Sequence, residues 1–212
     1  MKKYFKFLTI VVISASMMTS CNKTDKKNYS PDNPIALTVQ SELAERGVSF
    51  GMTEEEVKSI EKDITFVINP NLTMVDTENT LKTICSETPV KYAGHDAIIS
   101  YAFFNDYLYE LSYDIDVNYT SSELTSSPTY ALFLDFTLKY TDILGNPQIS
   151  EIDTDSSLNT WYTNMWHDGD VDSPENTYNY VISILADQSK YRSYADDYSD
   201  TVKLSFNSSV EE

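Results

Sequence analysis

Three features of this 212-residue chain predict an α+β fold made of two helix-plus-antiparallel-sheet halves. Helical patterns with start signals stand near residues 53–62 and 128–144, each is followed by strand-like runs, and the stretch from 107 to 117 alternates apolar with polar residues at period two. The order helix then sheet thus occurs twice, which predicts a tandem repeat with a first half over 35–122 and a second over 123–212. At 41% hydrophobic and 13% aromatic residues, with 16 Tyr and 9 Phe, the chain has the material for a core in spite of its acidity.

Residues 1–20 have the three parts of a secretory signal peptide. Lys2, Lys3 and Lys6 form a basic start, Phe7 to Met18 is apolar, and the small residues Thr19 and Ser20 precede Cys21. An apolar stretch of about 12 residues is too short to cross a hydrocarbon layer of about 30 Å as a helix. Met18-Thr19-Ser20-Cys21 resembles the lipobox of bacterial lipoproteins, with Met18 where Leu is more usual. The resemblance implies cleavage before Cys21, a lipid on its thiol, and a protein anchored to a membrane of the bacterial cell envelope outside the cytoplasm. Residues 21–34, polar and with two prolines, read as a flexible tether. With Cys21 acylated, Cys85 has no partner for an intramolecular disulfide; within Leu81-Lys82-Thr83-Ile84-Cys85 it reads as a small buried hydrophobe.

Beyond the tether, Ile35, Leu37, Val39 and Leu43 fit a short strand with a turn as well as a helix. At Gly51-Met52-Thr53-Glu54-Glu55-Glu56-Val57 the signal is sharper, because Thr53 followed by Glu56 is a capping box and three glutamates suit a helix N-terminus. Ile64 to Ile68 then reads as a strand closed by Asn69-Pro70-Asn71, and residues 77–85 as a second short helix. Ala97 to Phe104 and Tyr107 to Val117 form two strands joined by the two-residue turn Asn105-Asp106. Tyr107, Tyr109, Leu111, Tyr113, Ile115 and Val117 give the second of these an apolar face, and Glu110, Asp114 and Asp116 give it an acidic one. Tyrosine rings would cover the sheet there, their hydroxyls reaching water.

Serines 121, 122, 126 and 127 mark a loop. Ser127 and Pro128 then supply an N-cap and first turn for a helix over 128–144, ended by Gly145-Asn146-Pro147, although Leu132, Leu134, Phe136 and Leu138 would also alternate on a strand. Three strands follow, near 159–167, 177–186 and 201–206.

Gly51-Met52-Thr53 with Val57 resembles the helix start of small bacterial envelope lipoproteins of the SmpA/OmlA type and of related β-lactamase-inhibitor-protein-like domains. In that family Leu-Gly-x-Pro and an aromatic hairpin come next. Here Leu144-Gly145-Asn146-Pro147 has the tetrad's form but ends the second helix, and Tyr101 to Tyr113 is similar to the hairpin. The resemblance implies a module that binds another envelope protein and carries no catalytic residues.

Charge narrows the function. The net charge is -18, and loss of Lys2, Lys3 and Lys6 with the signal takes it to -21, which excludes nucleic acid as a natural partner, since phosphate binding draws on Lys and Arg. His95-Asp96 and His167-Asp168 each set an acid beside an imidazole, but neighbours on a strand point to opposite faces and make poor triads. Ser59-Ile60-Glu61-Lys62 has the SxxK spacing of penicillin-recognising acyltransferases without its companion motifs, and reads as a solvated helix. Asp168, Asp170, Asp172 and Glu175 crowd like the first half of a calcium loop. Ser173 in the turn glycine's place and Asn179 at the twelfth position make weak calcium binding the most this loop would support. Trp161, Tyr162 and Trp166 could stack a sugar, though strand patterning sets the two tryptophans on opposite faces. The sequence therefore predicts an envelope lipoprotein with a non-catalytic binding or scaffolding domain and no cofactor. The alternatives are a hydrolase of an envelope polymer, using His95 or His167, and an aromatic carbohydrate-binding module.

Overall fold

A side-chain cap sets the first helix, α1 (Pro34–Glu45). The computed structural model describes residues 33–75, 79–119, 128–154, 160–169, 179–188 and 198–208. Asn33 accepts hydrogen bonds from the amides of Ile35 and Ala36, and Pro34 fills the first helical position, where its missing N–H costs nothing. Ile35, Val39 and Leu43 recur at helical spacing on the buried side while Leu37 stays exposed, which resolves the run from 35 to 46 as helix. The helix starts inside the span expected to be tether, because Asn33-Pro34 acts as its start signal. Cys21 and the signal peptide lie outside the described residues.

Helix α2 (Glu54–Ile60) has the expected capping box: Glu56 donates its amide to the Thr53 hydroxyl at 3.3 Å, and its carboxylate accepts from the Thr53 amide at 2.8 Å. Helix α3 (Pro128–Leu144) buries Leu132, Phe133, Phe136 and Tyr140, and Gly145, at φ 79°, turns the chain out of it. Ser127, its expected cap, lies outside the described residues, as does the serine loop before it. Among the described residues, no helix is long and apolar enough to cross a membrane.

Among the described residues, ten antiparallel strands make the sheet: β1 (Phe66–Ile68), β2 (Met74–Val75), β3 (Thr80–Ser86), β4 (Val90–Tyr92), β5 (His95–Phe104), β6 (Tyr107–Tyr119), β7 (Ile149–Thr154), β8 (Thr160–His167), β9 (Tyr180–Gln188) and β10 (Tyr198–Ser208). Their order is β1-β3-β5-β6-β10-β9-β8-β7, with β2 beside β3 and β4 beside β5. This is an α+β fold dominated by one antiparallel sheet. The strands of 35–122 lie on one side of the β6–β10 pair and those of 123–212 on the other, in a single continuous ladder.

The helix expected over 77–85 is instead β3, residues 77 and 78 lying outside the described part. Thr80, Thr83 and Ile84 are β-branched, and pairing with β5 from Leu81↔Phe104 to Cys85↔Ser100 overrides a weak helical pattern. The Asn105-Asp106 turn is as expected, both residues taking the positive φ that a tight hairpin needs, 48° and 71°. Between Phe103↔Leu108 and Ala102↔Glu110 the register slips and leaves Tyr109 as a bulge. The bulge turns Leu108 inward and leaves Tyr107 exposed, against strict alternation.

The three α-helices of the described residues pack on one side of the sheet. The core lies between them and Ile99, Tyr101, Leu111 and Tyr113 of the first half, and Trp166, Ile182, Ile184, Val202, Leu204 and Phe206 of the second.

Candidate binding face

Among the described residues no α-helix lies over the other side of the sheet; a 3-10 turn, Pro70–Leu72, meets its β3 end, where the Thr83 hydroxyl donates to the Leu72 carbonyl at 3.2 Å. Period-two geometry assigns it Ser100 of β5, Glu110, Ser112, Asp114 and Asp116 of β6, and Lys203 and Ser205 of β10. On β9 it takes Ser183, Leu185 and Asp187, and on β8 Trp161, Thr163, Met165 and His167. Strand register brings Cys85, Ser100, Ser112, Ser205, Ser183 and Met165 into one transverse row. Four adjacent serines make up most of this row, and Ser112 is only 2% exposed and Ser205 5%. Hydroxyls there both donate and accept.

Among the described residues, alternation sets Glu110, Asp114, Asp116, Asp187, and Glu151 and Asp153 of β7 on this side, together with Lys203, whose ammonium lies 3.3 Å from Glu110, and with Lys91 and Asp96 at the β4–β5 end. Burial pushes the Asp114 carboxyl up from its ordinary value, Lys203 opposing and Glu110 and Asp116 adding to the rise. For Lys203, burial lowers the ammonium's pKa, and the attraction of Glu110 and Asp114 more than reverses this.

Cys85 lies on this face, half-buried, not in the core expected of it. Burial and then the Asp114 charge raise its thiol, which donates toward the Val67 carbonyl at 3.7 Å, surroundings that disfavour the thiolate. The two histidines stand on opposite faces: His95 is exposed on the helix side near Phe136, and His167 is buried on the open side. Burial pushes the His167 imidazole below 6.5, with a Gly169 hydrogen bond and the Asp168 charge opposing. Asp96 pairs with Lys91 at 2.8 Å.

Asp168 clamps the fold. Its carboxylate accepts from the Asn33 side chain at 2.9 Å and from the amides of Asn179 and Tyr180 at 2.8 Å, tying the start of α1 to the ends of β8 and β9. Asp170, Asp172 and Glu175 lie outside the described residues, and among those described no cluster of three or more His, Cys, Asp or Glu stands ready for a metal ion. The aromatic trio divides: Trp161 is half-buried on the open face, while Trp166 lies in the core and Tyr162 packs on Phe133 of α3.

Two charged networks on the helix side escaped the sequence pattern. Glu61, at the end of α2, takes two hydrogen bonds from Arg46 at 2.7 and 2.6 Å and one from the Tyr101 hydroxyl at 2.5 Å. Glu42 of α1 accepts from Tyr92 at 3.0 Å, Tyr140 at 2.9 Å and Lys139 at 3.2 Å. These tyrosine hydroxyls meet buried carboxylates, not water. A signal existed for Glu42, which stands seven residues after Ile35 on the buried stripe of α1.

No family model, no curated protein and no solved structure matches this chain.

Proposed function

We propose that the chain is a lipid-anchored, non-catalytic binding module of a bacterial cell envelope, and that it docks another envelope protein on the face of its sheet opposite the three described α-helices. The observation that carries this reading is the contrast between the two faces. Among the described residues, one is covered by three α-helices and two buried carboxylate networks; the other carries a row of serines with half-buried apolar side chains and acidic neighbours. Such a surface recognises a partner by shape and charge. The signal sequence and Cys21 support the anchor, and the likeness of Gly51-Met52-Thr53 to SmpA/OmlA-type lipoproteins supports a protein as partner. Helix-then-sheet order on both sides of the β6–β10 pair supports an internal repeat as the origin of the two sides.

Two experiments test the reading. Full-length chain should partition into the detergent phase, and Cys21→Ala should move it to the aqueous phase; unchanged partitioning would remove the anchor. A photo-crosslinking residue at Thr163, on the open face, should give a discrete adduct in the native envelope that Ser183→Arg abolishes without shifting the unfolding midpoint. The same probe at Leu37, exposed on α1, should give none. An adduct from Leu37 alone would place the binding surface on the helices.

A further inference from the structure

Cys85 is a free thiol, so among the described residues no disulfide ties the helices to the sheet. The chain has 16 tyrosines, and where two of their rings meet, burial separates the cases. Tyr92 stacks on Tyr113 with ring centroids 3.8 Å apart, and its hydroxyl lies 3.1 Å from that of Tyr140. All three are at most 7% exposed, and Glu42 holds the hydroxyls of Tyr92 and Tyr140, so these rings are fixed within the core. Tyr130 of α3 and Tyr162 of β8 differ. Their ring centroids are 4.7 Å apart with planes at 41°, and both are half-buried at the margin of the core.

Local spacing and sheet register set this contact. Tyr130 and Phe133 stand one turn apart on α3, 6.1 Å ring to ring, and Phe133 lies 5.6 Å from the Tyr162 ring. Two residues along β8 on the same face, Asn164 donates to the Thr137 hydroxyl at 2.9 Å and holds α3 in place over the strand. Burial and then the Tyr130 oxygen raise the Tyr162 hydroxyl above its ordinary value, as two phenolic ends near each other do.

We infer that Tyr130 and Tyr162 are a modification site, a pair that a heme peroxidase with hydrogen peroxide joins into a dityrosine bridge between α3 and β8. Each ring gives one electron to the oxidant and its phenolic proton to water. The two phenoxyl radicals couple at carbons ortho to oxygen, and the hydrogens on those carbons pass through solvent to the oxygens, restoring both hydroxyls. One C–C bond forms, two C–H bonds break, and hydrogen peroxide is reduced to two molecules of water. The bridge is a covalent brace for the helix layer in a chain whose described part has none. It goes beyond the proposed docking on the open face and does not depend on it.

The test treats the full-length chain in detergent with a heme peroxidase and hydrogen peroxide, isolates the monomer by size exclusion, and reads dityrosine fluorescence and cross-linked peptides by mass spectrometry. The monomer should gain the fluorescence, lose the mass of two hydrogens, and yield a peptide pair that joins Tyr130 to Tyr162. Its melting temperature should rise by about 10 °C, since the bridge closes a loop of about thirty residues in the unfolded chain. Tyr130→Phe and Tyr162→Phe keep the ring, leave the circular dichroism spectrum unchanged, and should each abolish the signal of the monomer. Tyr107→Phe, at a ring that is 51% exposed, should leave that signal as in the parent. A monomer without dityrosine, a signal that survives in either of the first two variants, or a peptide pair joining other tyrosines alone would overturn the proposal. Cross-links found only in dimers, and lost with Tyr107→Phe, would overturn it as well, because the reactive ring would then be the exposed one.

Discussion

Glu61 is a carboxylate taken out of water, and its neighbours decide what that costs. Arg46 supplies a planar two-pronged partner and Tyr101 a third hydrogen bond, so the charge is compensated in place. Removing one partner differs from removing the pair. Arg46→Ala leaves a buried charge behind and is expected to cost about 3–5 kcal/mol, while Tyr101→Phe loses one hydrogen bond to a charged group, about 1.5–3 kcal/mol. Lys139 beside Glu42 is 42% exposed, and Lys139→Ala should cost only about 1 kcal/mol. Urea unfolding of the three variants checks the order Arg46 over Tyr101 over Lys139; an equal loss for all three would mean that burial of the cation does not set the cost. His167 gives a pH signature. Burial holds its folded pKa below the 6.5 it returns to on unfolding, so the unfolded chain takes up the proton first. The stability contributed by the neutral imidazole is complete above pH 6.5 and is lost as pH falls below it toward the folded value. Unfolding free energy measured from pH 7.5 to 5 should decline less in His167→Gln than in the parent, and identical slopes would mean that His167 titrates freely when folded.

How legible an element was depended on how much of its stabilisation is local. The capped start of α2, the Pro128–Leu144 helix with its glycine stop, and the β5–β6 hairpin are each fixed by residues within a few positions of one another, and each was readable. The strand β3 was not, because its conformation follows from pairing with β5, about twenty residues on. β4 and β7 were missed for different reasons: the first is three residues long, and the second, exposed along nearly its whole length, carries no buried stripe to find. The turn between β4 and β5 also hid, since Ala93-Gly94 is not an obvious hairpin pair. Its backbone nevertheless has φ of 48° and 87°, both left-handed. A Cβ in that region is disfavoured, and Asn tolerates it better than Ala, so Ala93→Asn should stabilise the fold by up to about 1 kcal/mol. A rise of a few degrees in melting temperature would agree; a fall would mean that the turn relaxes to another type in solution.

The acidic, hydroxyl-lined face illustrates what one sequence withholds. Ser100, Ser112, Ser183 and Ser205 are unremarkable residues on four strands, and only the register of β5, β6, β10 and β9 makes them a row. The acidic side of β6, by contrast, was readable from alternation alone. That register also fixes how the whole chain is held together. β10, the last strand, lies in the middle of the sheet, paired with β6 from Tyr198↔Tyr119 to Asn207↔Glu110 and with β9 on its other side. Residues 35–122 by themselves would present the full length of β6 as a bare edge, with Leu111, Tyr113 and Ile115 stripped of Val202, Leu204 and Phe206. Residues 123–212 would lose Glu42 and Tyr92, leaving Tyr140 and Lys139 without their partners. Each piece would therefore expose core that the other covers, and neither has a second layer of its own to spare. Expressed separately, each is expected to unfold without a cooperative transition, while the two pieces mixed should restore the parent's circular dichroism and a sharp thermal transition that depends on concentration. A cooperative transition from either piece alone would show that the halves are independent domains in contact, and the seam between β6 and β10 would then be an interface between them and not the centre of one core.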